Sequence, residues 1–168
     1  MKKLLAFAIV ILGFSAASFG QVSANASAKI VTALVLTHTS GVDLNFGTMT
    51  RPTEAVDITV NASTGAASAS VPTAITLLSQ APVSSAAAYT VAGAPTSYYD
   101  ISLPVNGTIT MGTIAVKDFT TTYASTNNRG TLDGSGVGAF SVGATITLAS
   151  GQAAGSYTTT YNVNVNYN

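Results

Sequence analysis

Residues 156–168 read S-Y-T-T-T-Y-N-V-N-V-N-Y-N, and this stretch decides the fold. From Tyr157 to Tyr167 the odd positions carry Tyr157, Thr159, Tyr161, Val163, Val165 and Tyr167; the even positions carry Thr, then Asn through to Asn168. An unbroken period of two is the pattern of a strand with one buried and one wet face. A strand in this terminal position is expected either to close a sandwich or to leave an edge for another chain to pair with. Tyr157, Tyr161, Val163, Val165 and Tyr167 are therefore the candidate terminal edge strand.

The rest of the chain reads the same way. Five short segments place Ile, then Thr or Ser, then a larger apolar residue: Ile58-Thr59-Val60, Ile75-Thr76-Leu77, Ile101-Ser102-Leu103, Ile109-Thr110-Met111 and Ile146-Thr147-Leu148. Each turns two apolar side chains inward and one hydroxyl outward, as a half-buried strand does. Asn106-Gly107 predicts a hairpin, and Ser63-Thr64-Gly65, Gly93-Ala94-Pro95 and Asp133-Gly134-Ser135-Gly136 predict further turns. Pro52, Pro72, Pro82, Pro95 and Pro104 fall at segment boundaries, where a missing N–H does no harm. No window keeps a helical period. The class is all-β, a sandwich of about eight to ten short strands.

At the other end, Val22, Ala24, Ala26, Ala28 and Ile30 alternate with polar residues. The segment is either the start of one long first strand or a separate arm that pairs elsewhere; these five residues are the candidate subunit-pairing arm. Ile30–Leu36 is nearly continuous in apolar content, which predicts a strand buried on both faces.

Before the arm stands an export signal. Lys2 and Lys3 precede an apolar run, Leu4–Phe14, too short to span a bilayer, and small residues follow. Residues 1–20 form the signal, with cleavage as late as residue 24 as the alternative, and 21–168 form a single domain. An exported location follows, at a bacterial cell surface or outside it, with passage through a periplasm and no transmembrane segment after cleavage. Without Lys2 and Lys3, four basic residues face six acidic ones. Such a balance disfavours nucleic acid and polybasic membrane contacts. Charged residues make up 7%, against roughly 25% in an average soluble protein. A surface of Thr, Ser, Asn, Ala and Gly is cheap to bury against a copy of itself. There is no cysteine, so the core suffices alone or is completed by a partner.

Little in the sequence carries chemistry. His38 is the only histidine; it follows a strand and reads as a solvated loop residue rather than a catalytic base. No paired Cys, histidine cluster or H-E-x-x-H spacing suggests a metal, and no cofactor is implied. Asp133-Gly-Ser-Gly-Val-Gly leads into another strand rather than a helix, so it reads as a turn and not a phosphate cradle. Tyr98 and Tyr99 are adjacent and point to opposite faces, one core and one exposed; as the candidate ligand contact, the exposed one would stack on a sugar or fill an interface.

Three stretches carry a resemblance. They are Asp43-Leu44-Asn45-Phe46-Gly47-Thr48-Met49; Ala87–Gly93 leading to Tyr99-Asp100-Ile101-Ser102-Leu103-Pro104; and Val142–Leu148 followed by Gln152–Tyr157 and the closing alternation. In this order they resemble the secreted domain family known as domain of unknown function 4402, which is similar to the spore-coat-U and archaic chaperone–usher pilins. The resemblance implies an immunoglobulin-like, pilin-like sandwich that lacks its last strand and receives an N-terminal arm from the next subunit. Those pilins carry a disulfide near the first strand and bulky apolar knobs on the arm; this chain has no Cys and mostly alanine knobs.

The expected function is non-enzymatic: a pilin-like, fimbrial or surface-coat subunit that associates with itself or with other pilin-like subunits, attended by a periplasmic chaperone. The alternative is a self-contained extracellular sandwich that binds a glycan, as an adhesin would, through Tyr98, Tyr99 and the loop 127–138.

Overall fold

The computed structural model describes residues 20–168. The chain divides into Met1–Ile30 and Val31–Asn168. In the first unit, Gly20–Ile30 has no regular secondary structure, and Val22 and Ile30 are 90% and 96% exposed. The alternation that begins at Val22 therefore does not open a long first strand. Residues 1–20, read from sequence as an export signal, lie outside the described residues except for Gly20.

The second unit is all-β. Its strands are β1 (Val35–His38), β2 (Thr48–Met49), β3 (Val56–Val60), β4 (Ala67–Ala69), β5 (Leu77–Leu78), β6 (Ala87–Ala92), β7 (Tyr98–Ser102), β8 (Ile109–Met111), β9 (Ile114–Thr121), β10 (Arg129–Thr131), β11 (Val137–Leu148) and β12 (Asn164–Tyr167). A single 3-10 turn, Ala124–Thr126, interrupts them. Twelve strands stand against the eight to ten expected because several are pieces of two or three residues. Among the described residues no helix is long and apolar enough to cross a membrane, which says nothing of β-barrels.

One large antiparallel sheet is organised around β11. Val142 pairs with both Ala87 of β6 and Thr121 of β9, and Ile146 pairs with both Ile58 of β3 and Val116 of β9. So β9 holds one edge of β11, while β6 and β3 share the other. β1 lies beyond β6, β4 beyond β3, and β8 beyond β9. Flanked on both sides, β11 is almost continuously buried from Phe140 to Leu148. Buried Thr145 meets its polar need at Thr59, with the two hydroxyls 2.9 Å apart.

The facing layer is in two pieces. One is the sheet β10-β7-β12; the other is the pair β2-β5. Each covers its own part of the core. Val91, Tyr99, Ile101, Leu132, Phe140 and Val142 pack together beneath β7. Phe46, Ile58, Ile75, Met111, Ile114 and Ile146 form the second cluster, with Met49 of β2 and Leu77 of β5 against it. Leu44 and Phe119 touch both clusters.

Three local expectations are corrected. Ile30–Leu36 is not buried on both faces: Ile30 is exposed, Val35 is 56% exposed, and β1 begins only at Val35 as an edge strand bonded to β6 alone. Asn106-Gly107 turns the chain but joins β7 to β8, which do not pair. The tight hairpin is instead Gly112-Thr113 between β8 and β9, where Met111 pairs with Ile114 and Gly112 takes φ 62°. The side chain of Asn106 is committed elsewhere: its amide donates to Asp118 Oδ1 and its oxygen accepts from the Asp118 N–H, each at 2.7 Å. Finally, the alternation from Tyr157 to Tyr167 pairs as a strand only over Asn164–Tyr167. β7 ends at Ser102, and the earlier residues pair with no strand among the described residues.

Candidate functional site

The gap between the two pieces of the facing layer is an open groove of about 1020 Å³. One wall is residues 156–163. Their side chains follow the expected alternation except at one position: Tyr157, Tyr161 and Val163 are half-buried and the even positions exposed, but Thr159 is exposed as well. No backbone hydrogen bond holds this stretch among the described residues. Side chains hold it instead. The Tyr157 hydroxyl donates to the Ala153 carbonyl at 2.8 Å and accepts from Gln152 Nε2 at 3.0 Å. The Tyr161 hydroxyl accepts from Tyr89 at 3.3 Å, and its ring lies 5.1 Å from that of Phe119. Burial, then the neighbouring Tyr89, raises the Tyr161 phenol well above its ordinary pKa.

The second wall runs from Asp43 to Arg51. Asn45 exchanges backbone hydrogen bonds with Ser85 at 2.8 and 2.9 Å, and Thr50 N–H donates to the Thr76 carbonyl at 2.9 Å. Neighbouring residues of an extended chain aim their backbone groups at opposite edges. With Asn45 turned toward Ser85, Leu44 and Phe46 turn theirs toward the groove. The floor is apolar: Ile109 and Met111 of β8, Ile114 and Val116 of β9, Ile146 and Leu148 of β11.

The two ends differ chemically. At one, His38 Nε2 lies 3.1 Å from the Val42 carbonyl and 3.4 Å from Asp43, and its ring packs against Tyr89 at 5.1 Å. At the other, Arg51 donates through Nε and Nη2 to the Gly151 carbonyl at 2.9 and 2.6 Å. Residues 156–163 run from the arginine end to the histidine end, while 43–51 run the other way. A strand laid between them is antiparallel to one wall and parallel to the other.

The terminal residues singled out by sequence thus serve two ends: Tyr157, Tyr161 and Val163 line the groove, while Val165 and Tyr167 pack on the core beside β7. The Tyr167 hydroxyl donates to the Thr32 carbonyl at 2.6 Å and accepts from the Ala94 N–H at 2.7 Å. The arm residues Val22, Ala24, Ala26, Ala28 and Ile30 are all exposed. The adjacent tyrosines separate as the alternation requires. Tyr98 is 57% exposed, whereas Tyr99 is fully buried, so Tyr99 is withdrawn as a ligand contact. His38 stands at the end of β1, at a mouth of the groove.

Sequence reasoning missed the second wall and the floor. Leu44 and Phe46 carry the period-two signal, but over too few residues to mark an unpaired edge. The floor residues read only as core.

No curated protein and no solved structure matches the chain. The model of one family matches residues 36–167, which takes in both walls, the floor and all twelve strands but for the first residue of β1. The chain therefore belongs to the DUF4402 family, a domain of unknown function.

Proposed function

We propose that this protein is an exported, non-enzymatic structural subunit, pilin-like in build, that assembles at a bacterial cell surface by taking a β-strand from a neighbouring subunit into its groove. The observation that carries this reading is that residues 156–163, which make no backbone hydrogen bond among the described residues, line one groove with Leu44 and Phe46 over an apolar floor. A strand in that position would satisfy backbone groups on both walls and cover the floor from water. A ligand without a strand's edge groups would leave the walls unpaired.

The neighbour is a second copy or another pilin-like subunit, and a periplasmic chaperone would guard the groove before assembly. The arm at Val22, Ala24, Ala26, Ala28 and Ile30 is the candidate donor, since it is extended in pattern and exposed. Donation from one subunit to the next is head-to-tail and builds an open filament.

The test is the size of the purified chain over a concentration series, with and without a peptide spanning residues 21–31. Polymers that are lost in Ala26→Asp and Ala28→Asp, or monomers that bind the peptide, support the reading. A monomer at every concentration that binds neither the peptide nor any other β-strand peptide rules it out.

A further inference from the structure

The outward side of the sheet β10-β7-β12 carries a second constellation, independent of the groove. The register sets Arg129, Asp100 and Asn166 side by side across the three strands, with Thr131 beside Tyr98 and Ser102 beside Asn164. Asn168 comes next to Tyr98, its N–H donating to the Tyr98 carbonyl. On the inward side the same strands place Tyr99, Ile101, Val165 and Tyr167 in the core. The core packing on the inward side therefore does not call for a tyrosine or a run of amides on the outward side.

Each group there is chemically ready for a ligand. Tyr98 leaves more than half its surface in water, and an aromatic ring beside hydrogen-bonding groups suits a partner with both C–H and O–H faces. Arg129 Nε donates to Asp100 Oδ1 at 2.9 Å, and Asn168 Nδ2 donates to Asp100 Oδ2 at 2.7 Å. These contacts hold the guanidinium and the amide on the one carboxylate, and the guanidinium carries N–H donors beyond the one so engaged. Asn162, Asn164, Asn166 and Asn168 are all exposed, and strand geometry spaces them at about 6.7 Å.

Charge and composition select among ligands. One guanidinium cancels one carboxylate, so this face has no excess positive charge for a polyanion. A protein partner would want a desolvated apolar centre, yet Tyr98 is the only large hydrophobic exposed on these three strands. A neutral sugar chain, with its apolar ring faces and fringe of hydroxyls, matches the surface. We propose that the outer face of β10-β7-β12 binds a neutral glycan, with Tyr98 as the stacking platform and Asn164, Asn166 and the Arg129–Asp100 pair as hydrogen-bonding groups.

The full chain would be applied to a printed array of neutral hexose and N-acetylhexosamine oligosaccharides, alongside sialylated and sulfated ones. The wild type is expected to bind a subset of the neutral glycans. Tyr98→Ala should weaken that binding about tenfold, while Tyr98→Phe, which keeps the ring, should stay close to wild type. Asn166→Ala should cost about fivefold. Thermal unfolding checks that the outward substitutions leave the fold intact, and the same array with a strand peptide in the groove should give the same pattern. No binding to any neutral glycan, binding to anionic glycans alone, or Tyr98→Ala and Asn166→Ala both binding like wild type would overturn the proposal.

Discussion

Gly143 and Asp57 show what single residues contribute on the central strand and its neighbour. A Cβ on Gly143 would collide with the Val60 carbonyl oxygen and lie 2.7 Å from the Ala62 N. Both are backbone atoms, so only a shift of backbone, in β11 or from the last residue of β3 onward, could make room. Gly143→Ala is expected to destabilise the fold by about 1–3 kcal/mol, read from urea unfolding. Asp57 accepts from Thr147 Oγ1 at 2.7 Å and from Lys117 Nζ at 2.9 Å. The Thr147 bond first, then that from Lys117, holds its carboxyl below the ordinary 3.8. The unfolded chain therefore takes up this proton at a higher pH than the folded chain does. The stabilisation is present above about pH 4 and is lost as the pH falls through the folded value. The carboxylate is partly exposed, so solvent screens the effect and it is modest. Asp57→Asn is expected to flatten the acid limb of a stability–pH curve and leave the pH dependence near neutrality unchanged.

Two elements of similar pattern have opposite fates. β11 is bonded on both edges, whereas residues 156–163 are bonded on neither among the described residues. Amide hydrogen exchange should therefore be slow from Phe140 to Leu148 and fast from Ser156 to Val163. Addition of a groove-filling strand should protect 156–163 selectively; protection that stays unchanged while the strand is bound would place that strand elsewhere. Side-chain size on the donor gives a second check. Val22, Ala24, Ala26, Ala28 and Ile30 would face a floor of Ile, Met, Val and Leu, and an alanine reaches little of it. Ala26→Val in a peptide of residues 21–31 adds two carbons to the buried face and should tighten binding about tenfold if that residue enters the groove.

For the molecule as a whole, an open groove means an incompletely covered core. A strand peptide at a hundred times its Kd adds about 2.7 kcal/mol to the folded state. For a domain of this size that raises Tm by about 5–11 °C. A Tm that does not move at saturating peptide would mean that the peptide does not select the folded state.

The sequence alone determined the all-β class, the inward and outward faces of most strands, and the burial alternation from Tyr161 to Tyr167, while Thr159 is exposed against its expected inward place. Each follows from local chemistry, since a strand's faces are set by its own period of two and turns by their own Gly, Asn and Pro. The same residues could not show who pairs with whom. Ile30–Leu36 read as a buried strand because its apolar content is high, but burial depends on neighbours, and β1 has one only on the β6 side. Tyr157–Tyr167 read as one strand, yet β7 reaches only as far as Asn164. Tyr98 and Tyr99 were distinguishable in kind but not in assignment until the sheet set which face met the core. Only the tertiary structure decided that the facing layer is split and that a groove opens between Leu44, Phe46 and residues 156–163. Backbone hydrogen bonds carry almost no side-chain signature, so an unpaired edge leaves no mark on the sequence of the residues that form it.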